Sequence, residues 1–250
     1  MTLSWKLPCL RSSLPGRSTI TAVDHAYFLH ERTKLIRHFF DAASAPFIET
    51  QRAIDAKEPP FDNPPYDESG EPAFLGEWLQ ADTEQQLVGR ACVSMLSEAI
   101  KQFFLDWERR LDRSRPCAKA FKQLLADRGF VIGYVTCFAE ALDMKPEDIP
   151  VNLDVIEQVV LARNAVQHST IHWPQAMHDE KHRARYPHPF FAREGDAWPE
   201  DGSRPFLEPS LHFERDKLLA ACDEVDKLGA WLQNEIHERF FGPGCRKLAT

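Results

Sequence analysis

The chain has 250 residues, of which 43% are hydrophobic and 11% aromatic, a composition that suits a packed globular core and excludes a disordered chain. Its formal net charge is -8, which excludes a protein that coats nucleic acid through overall charge, so any RNA contact needs a local basic surface. The six cysteines contain no CxxC pair, which argues against a zinc ribbon or a disulfide framework and favours a reducing compartment.

The amino-terminal residues 1–22 are expected to form an irregular leader, because they lack the apolar run of a signal peptide. The apolar stretch of residues 129–139 carries no charge and is too short to cross a bilayer. We therefore expect a soluble, cytoplasmic protein that does not contact a membrane.

The first helix is predicted to begin at Asp24, where apolar residues start to recur at intervals of three, four and seven. Pro46 is expected to kink or end this helix, with a second piece running to about Lys57. The proline-rich residues 58–75 are expected to form an exposed loop. The apolar stripe of the first helix is predicted to contain Phe28, Leu29, Leu35, Ile36, Phe39 and Phe40.

A second long helix is predicted from about Gly76 to Asp112, followed by one that stops near Gly129 and a very apolar one that ends at Leu142. The buried stripe of the long helix is predicted to contain Val88, Cys92, Met95, Ala99, Phe103 and Trp107.

The next helix is predicted from Leu153 to about Ser169, because Asn152 is a good N-cap and Asp154 favours the helix dipole in the first turn. Residues 170–212 contain six prolines and form a long insertion that can hold a short hairpin before a closing helix from about Phe213 to Phe240. The expected fold is an all-α, up-and-down helical bundle, with one domain over residues 23–245 and insertions at about 58–75 and 170–212.

One run in the predicted helix from Leu153 stands out: Arg163-Asn164-Ala165-Val166-Gln167-His168. Arg and His at such spacings are expected about twice by chance in this composition, but requiring Asn directly after Arg lowers that number to about 0.01. At about 100° per residue, Asn164 and His168 project within about 40° of each other, with Arg163 further round the helix. An Arg can bind a phosphate and a His can exchange a proton, the two requirements for cleaving RNA through its own 2′-hydroxyl.

This run resembles the Rx4-6H motif of HEPN-domain proteins, with the closest match over about twenty residues from Pro150 to His168. That family consists of helical bundles that dimerise with two motifs facing across a cleft, and many members are ribonucleases in toxin–antitoxin and defence systems. The resemblance implies a metal-independent endoribonuclease with catalytic residues Arg163, Asn164 and His168. It also implies no cofactor, an RNA substrate rather than DNA, a homodimer, and control by an antitoxin or regulatory protein.

One position departs from the family pattern. Members silenced by adenylylation carry a Tyr two residues after the His, whereas this chain has Thr170, which puts that mode of control in doubt. The alternatives are a catalytically inactive HEPN module that serves as a dimeric RNA-binding, nucleotide-binding or adaptor protein, and a purely structural bundle with Arg163 and His168 in internal contacts. Two other Arg–His pairs, Arg32 with His38 and Arg183 with His188, are interpreted as ordinary surface or loop residues.

Three further features of the sequence bear on function. His178 and His182 are spaced for one helix face, but the order differs from HExxH and prolines bracket the segment, so solvated histidines are favoured over a metal site. Two basic segments, each with the alternative of an ordinary charged surface, could contact RNA. The first, within 107–122, contains Arg109, Arg110, Arg113, Arg115, Lys119 and Lys122. The second, within 178–193, contains Lys181, Arg183, Arg185 and Arg193 beside Tyr186, Phe190 and Phe191.

Overall fold

A computed structural model describes residues 24–64, 68, 70–111, 118–142, 144–168, 180–199, 203 and 208–241. The α-helices within these residues are α1 (His25–Asp55), α2 (Leu75–Leu111), α3 (Ala118–Arg128), α4 (Phe130–Ala141), α5 (Leu153–His168), α6 (Glu180–Arg185) and α7 (Arg215–Phe241), with a 3-10 turn at Pro146–Asp148. No β-strand occurs in this part of the chain, so the predicted all-α class, a bundle of helices without a sheet, is confirmed. The leader and part of the 170–212 insertion lie outside the described residues.

The chain divides into two compact units, each with its own packed helical segments. The first takes its described residues from Met1–Thr33, Ser97–Val160 and Ala221–Thr250, and the second from Lys34–Leu96 and Leu161–Ala220. The single domain expected over residues 23–245 stays a prediction. No helix among the described residues is long and apolar enough to span a membrane.

The first unit is built around an aromatic cluster between α2 and α4. The ring of Phe104 stacks on Tyr134 with centroids 5.2 Å apart and also contacts Phe138 at 5.7 Å. The start of α1 packs on α7, where Thr33 donates a hydrogen bond of 2.7 Å to Asp226. These contacts fix the framework on which the first two turns of α5 are buried.

The second unit packs α1 and α2 against the segment that leads into α7. Ile36 and Phe40 are buried on α1, and the thiol of Cys92 on α2 lies 4.0 Å from the carbonyl oxygen of Ile36. A Cβ atom at Gly89 would lie 2.4 Å from the Cβ of Phe213, so only glycine permits this approach of the chain to α2. The Phe213 N–H also donates a hydrogen bond of 2.7 Å to Gln86.

Pro46 does not end α1, so the expected end at this residue was wrong, whereas the alternative of a kink stays a prediction: the helix runs through Pro46 to Asp55. Proline cannot donate to the carbonyl of Ala42, four residues earlier. Both Ala42 and Pro46 are exposed, so water can satisfy the carbonyl that loses its partner. The loss of one hydrogen bond on the solvent side is thus tolerated.

The apolar stripes of α1 and α2 were predicted only in part. Leu29, Ile36 and Phe40 are buried as expected, but the same face of α1 also carries the buried polar residues Thr33 and Ser44. Their hydroxyls donate to the main chain of α1, which makes them compatible with burial. The members of the predicted stripes that are exposed instead are Phe28, Leu35, Phe39 and Met95.

Three cysteines of the described helices are shielded by packing. Cys92 and Cys222 are buried, and Cys137 is half-buried. Burial raises the pKa of the Cys137 thiol to about 11, and the carboxylates of Glu140 and Glu108 add to that shift. The Cys137 thiol is therefore held in the protonated form at neutral pH.

Candidate functional site

Helix α5, which carries the motif, begins at a side-chain cap. The Val155 N–H donates to the Asn152 side-chain oxygen at 3.3 Å, as the sequence predicted. The Asn152 N–H donates to Glu224 at 2.8 Å, which ties the entry of α5 to α7 within the first unit. The observed bounds, Leu153–His168, match the prediction to within one residue.

The first half of α5 is buried on nearly every side. Ile156 and Val159 are fully buried, and the polar side chains of Glu157 and Gln158 are buried beside them. The last two turns differ, because Arg163 and Asn164 are half-buried and His168 is exposed. Polar residues near the carboxyl end of α5 are therefore open to a ligand.

The side chain of Glu157, which lies on α5, caps the amino terminus of α4. One carboxylate oxygen accepts from the N–H of Val131 at 2.8 Å and of Ile132 at 3.3 Å, and the other accepts from Phe130 at 3.1 Å. A buried carboxylate at a helix amino terminus satisfies N–H groups that have no partner within the helix and favours the helix dipole. Gly129, at φ +93°, makes room for it, since a Cβ there would lie 2.4 Å from the carboxylate. We therefore assign Glu157 a structural role.

The motif residues are brought together only in part. The Arg163 guanidinium donates a hydrogen bond of 3.0 Å to the Asn164 side-chain oxygen. Five residues separate Arg163 from His168, so the two side chains leave the helix about 140° apart, whereas Asn164 and His168 lie about 40° apart. Among the described residues no hydrogen bond joins Arg163 to His168. One chain thus presents a supported Arg and an exposed His on different sides of α5.

The second basic segment packs against the motif helix. Tyr186 and Trp198 form a small buried cluster, and Leu161 of α5 packs against it. The guanidinium carbon of Arg183 lies 4.4 Å from the centre of the Trp198 ring, and that of Arg185 lies 5.0 Å from the centre of the Tyr186 ring. Lys181 is exposed on the same short helix. This part of the predicted insertion is helix α6, which the flanking prolines concealed in the sequence.

The other sequence candidates are less informative. Arg109 pairs with Asp106 on α2 at 3.1 Å, and the side chains of the remaining members of the first basic segment lie outside the described ones. His182 is half-exposed on α6, whereas His178 lies outside the described residues. In the described part of the chain, no group of three His, Cys, Asp or Glu side chains is placed to hold a metal.

Sequence reasoning missed a cluster of charged groups in the second unit. Arg193 pairs with the buried Asp82 at 3.6 Å, and Lys217 pairs with Glu214 at 3.5 Å. Burial lowers the pKa of His212, which lies among these groups, and the positive charge of Arg193 lowers it further. No local signal could have found this cluster, because Asp82 and His212 are far apart in the chain. Both cations of this cluster, Arg193 and Lys217, have an acid beside them, which is the pattern of a structural network.

The chain matches no protein-family model, no curated protein and no solved structure.

Proposed function

We propose that this chain is a HEPN-type, metal-independent endoribonuclease that acts in the cytoplasm as a toxin or defence effector. The observation that carries the proposal is the end of α5, where an exposed His168 follows Asn164 by one turn on a helix whose residues 155–160 are buried. The Arg163–Asn164 hydrogen bond holds a guanidinium beside this turn. These are the residue types that cleavage through the 2′-hydroxyl requires.

In the proposed reaction His168 removes the proton from the 2′-hydroxyl, and the 2′-oxygen attacks the adjacent phosphorus. The bond from phosphorus to the 5′-oxygen breaks, and that oxygen takes a proton from a protonated His168 of the second copy in the homodimer described next. The products are a 2′,3′-cyclic phosphate and a 5′-hydroxyl. Arg163 offsets the negative charge that develops on the phosphorane, and Asn164 positions the guanidinium.

The proposal includes a homodimer. Within one chain the side chains of Arg163 and His168 leave α5 about 140° apart around the helix axis. A single copy therefore does not direct both groups at one phosphate. A two-fold contact repeats every residue across its axis, so a second α5 can bring its Arg163 to the first copy's His168. We expect the two His168 side chains to lie within about 10 Å of each other, close enough to reach one phosphate group.

The second candidate is a catalytically inactive HEPN module that binds RNA or nucleotide as a dimeric adaptor. The observation that favours it is the angle of about 140° between Arg163 and His168 around α5, because two groups that do not converge in one chain can bind RNA without cleaving it. This candidate predicts RNA binding without cleavage.

The test is cleavage of a single-stranded RNA by the wild-type chain, Arg163→Ala and His168→Ala. Removing a general acid or base typically costs about 10²–10⁴ in rate. His168 is exposed, so His168→Ala should leave the thermal melting curve almost unchanged. EDTA should have no effect, and a 2′-O-methyl group at the cleaved nucleotide should block the reaction.

Arg32→Ala and His38→Ala are matched controls, because both residues are exposed on α1 and are spaced in the sequence much as Arg163 and His168 are. Cleavage that persists in both motif variants refutes the catalytic assignment. A loss of several kcal/mol in stability in those variants would support a structural role for the motif.

A further inference from the structure

Helices α1 and α2 expose a set of apolar residues within the second unit. We call this set the outer face, and it consists of Leu35, Phe39 and Ala42 on α1 with Leu87, Ala91 and Met95 on α2. Its four large members are 65% exposed at Leu35, 43% at Phe39, 53% at Leu87 and 40% at Met95. Side chains of this kind are normally covered when several of them lie together.

On α1 the outer face is turned away from α7. The Arg37 guanidinium donates a hydrogen bond of 3.1 Å to the carbonyl oxygen of Leu219 on α7, so this side of α1 is covered. Leu35 and Phe39 are each two residues from Arg37, and their side chains therefore leave the helix about 160° from it. They lie on the side of α1 opposite to the α7 contact.

On α2 the same relation holds. Gly89 packs against Phe213 at the entry to α7, where a Cβ atom would lie 2.4 Å from the Cβ of Phe213. Leu87 and Ala91 are each two residues from Gly89, so their side chains also leave the helix about 160° from this contact. Both helices thus turn the outer face in the direction away from α7.

The two halves of the outer face adjoin, because α1 and α2 are in contact along their shared flank. The Cys92 thiol of α2 lies 4.0 Å from the carbonyl oxygen of Ile36 on α1. The outer face is therefore one surface built by two helices. Exposed apolar residues that are scattered singly need no explanation, whereas a contiguous patch marks a surface for another molecule.

The size of the outer face matches one half of a small dimer interface. With about 200 Å² for a large apolar residue, its four large members leave about 400 Å² of apolar surface in water. Two copies would bury about 800 Å², and because a homodimer interface is about 65% apolar, the whole contact would cover about 1,200 Å². That value is at the lower end of the range for specific, stable interfaces.

The pattern of the outer face also suits a second copy. Its neighbouring members are four residues apart on α2 and four or three apart on α1, the spacings that form ridges on a helix. Large and small residues alternate along these ridges, so the ridges of one copy can lie in the grooves of the other. A two-fold contact sets each apolar ridge against another apolar ridge and requires no opposite charge. This matters in a chain whose net charge of -8 makes two copies repel.

We infer that a second copy of this chain docks on the outer face. The contact is two-fold, and α1 and α2 of each copy pack on α1 and α2 of the other in a four-helix arrangement. The inference rests on exposed apolar surface and makes no use of the motif in α5. It therefore goes beyond the proposed nuclease and names the surface that holds two copies together.

The experiment is sedimentation velocity of the full chain at concentrations from about 2 to 200 µM. The wild type should approach twice the chain mass of 28.7 kDa. Leu35→Glu and Leu87→Glu, one on each helix, should raise the dimer Kd at least tenfold, because a two-fold contact buries each introduced charge twice. Both leucines are exposed in the single chain, so the variants should remain folded by circular dichroism.

Two further variants sharpen the result. Ile48→Glu is the matched control, because Ile48 is 41% exposed on α1 but lies nine residues after Phe39, on the opposite side of the helix. Its Kd should equal that of the wild type. Leu35→Gln adds no charge and keeps a good helix former, so it should still weaken the dimer several-fold if Leu35→Glu destabilises the fold. Added salt should leave the wild-type dimer as tight or tighter, because it screens the repulsion between two acidic chains.

A wild type that stays at 28.7 kDa over the whole concentration range overturns the inference and leaves the outer face to a different protein. A dimer that is as tight in Leu35→Glu and Leu87→Glu as in the wild type also overturns it, since another surface then holds the copies. Equal weakening by Ile48→Glu has the same consequence.

Failure of this inference and failure of the proposed function are separable. A dimer that depends on Leu35 and Leu87, in a chain that cleaves no RNA, supports the inference and contradicts the nuclease. RNA cleavage that is lost in His168→Ala, by a chain whose dimer depends on neither leucine, supports the nuclease and overturns the inference.

Discussion

Replacing Glu157 with glutamine separates the charge of the α4 cap from its shape. The carboxylate accepts three N–H groups at 2.8 to 3.3 Å. An amide can place its oxygen toward Val131 and Ile132, but its NH2 group then faces the N–H of Phe130. Two charge-assisted bonds become neutral, at a cost of about 1 kcal/mol each, and one donor loses its acceptor, at a cost of about 1 kcal/mol or more. We expect the free energy of unfolding to fall by about 3 kcal/mol, and by about 4 kcal/mol in Glu157→Ala.

The assay is urea unfolding together with amide hydrogen exchange at the start of α4, which reports the local effect even if the two units unfold separately. Glu77→Gln is the matched control, because Glu77 is an acid in the first turn of α2 but is exposed, and its loss should cost about 0.5 kcal/mol. If Glu157→Gln costs no more than Glu77→Gln, and exchange at Val131 is unchanged, the carboxylate does not cap α4.

Gly129 supplies an internal check on the same cap. A Cβ there would lie 2.4 Å from the Glu157 carboxylate, at a backbone φ of +93° that already strains any other residue. Gly129→Ala should therefore be destabilising alone and less so in the Glu157→Ala background, where the clash is absent. A coupling of about 1 kcal/mol or more in the double-mutant cycle is expected. Strict additivity would mean that the two sites do not touch.

Two further predictions concern assembly and pH. Mixing inactive Arg163→Ala and His168→Ala chains should restore part of the RNA cleavage, because a heterodimer keeps one intact copy of each residue across the two-fold axis; an active monomer in light scattering would contradict this. His212 has a pKa lowered below the ordinary 6.5, so the unfolded chain binds its proton more tightly than the folded chain does. Its contribution to stability is complete above pH 6.5 and is lost as pH falls toward the folded pKa. The free energy of unfolding of wild type should therefore drop more steeply between pH 7 and 5 than that of His212→Gln, and equal slopes would refute this.

The parts of the fold that could be predicted depend on local signals. Asn152 and Asp154 marked the start of α5, because a cap and a first-turn charge act within a few residues. The exposure of Leu35 and Phe39 could not be predicted. The spacing of apolar residues shows which face of a helix is apolar, but not how much of that face is covered by other helices. Pro46 misled for a related reason: the cost of a proline depends on whether water reaches the freed carbonyl.

In the candidate site, too, the residues of a local motif could be predicted and the long-range contacts could not. Arg163, Asn164 and His168 are visible in one short run, so a motif could find them. The packing of Trp198 against Leu161 joins residues far apart in the chain, and the α4 cap joins Glu157 to Phe130 and its neighbours. Such contacts depend on how the chain folds back on itself, and no local pattern in a single sequence predicts them.

Helix α5 is uninterrupted from Leu153 to His168, so it converts spacing in the sequence into phase around an axis. One residue inserted between Leu161 and Arg163 would rotate every later side chain by about 100° relative to Leu161 and advance it by about 1.5 Å. His168 would then leave the side of the helix on which Leu161 packs against the Tyr186–Trp198 cluster, whereas four inserted residues would return the phase to within about 40°. Substitutions in this stretch change side chains one at a time, but an insertion or deletion shifts the whole motif. The length of the segment from Leu161 to His168 is therefore under a stricter constraint than the identity of the residues in between.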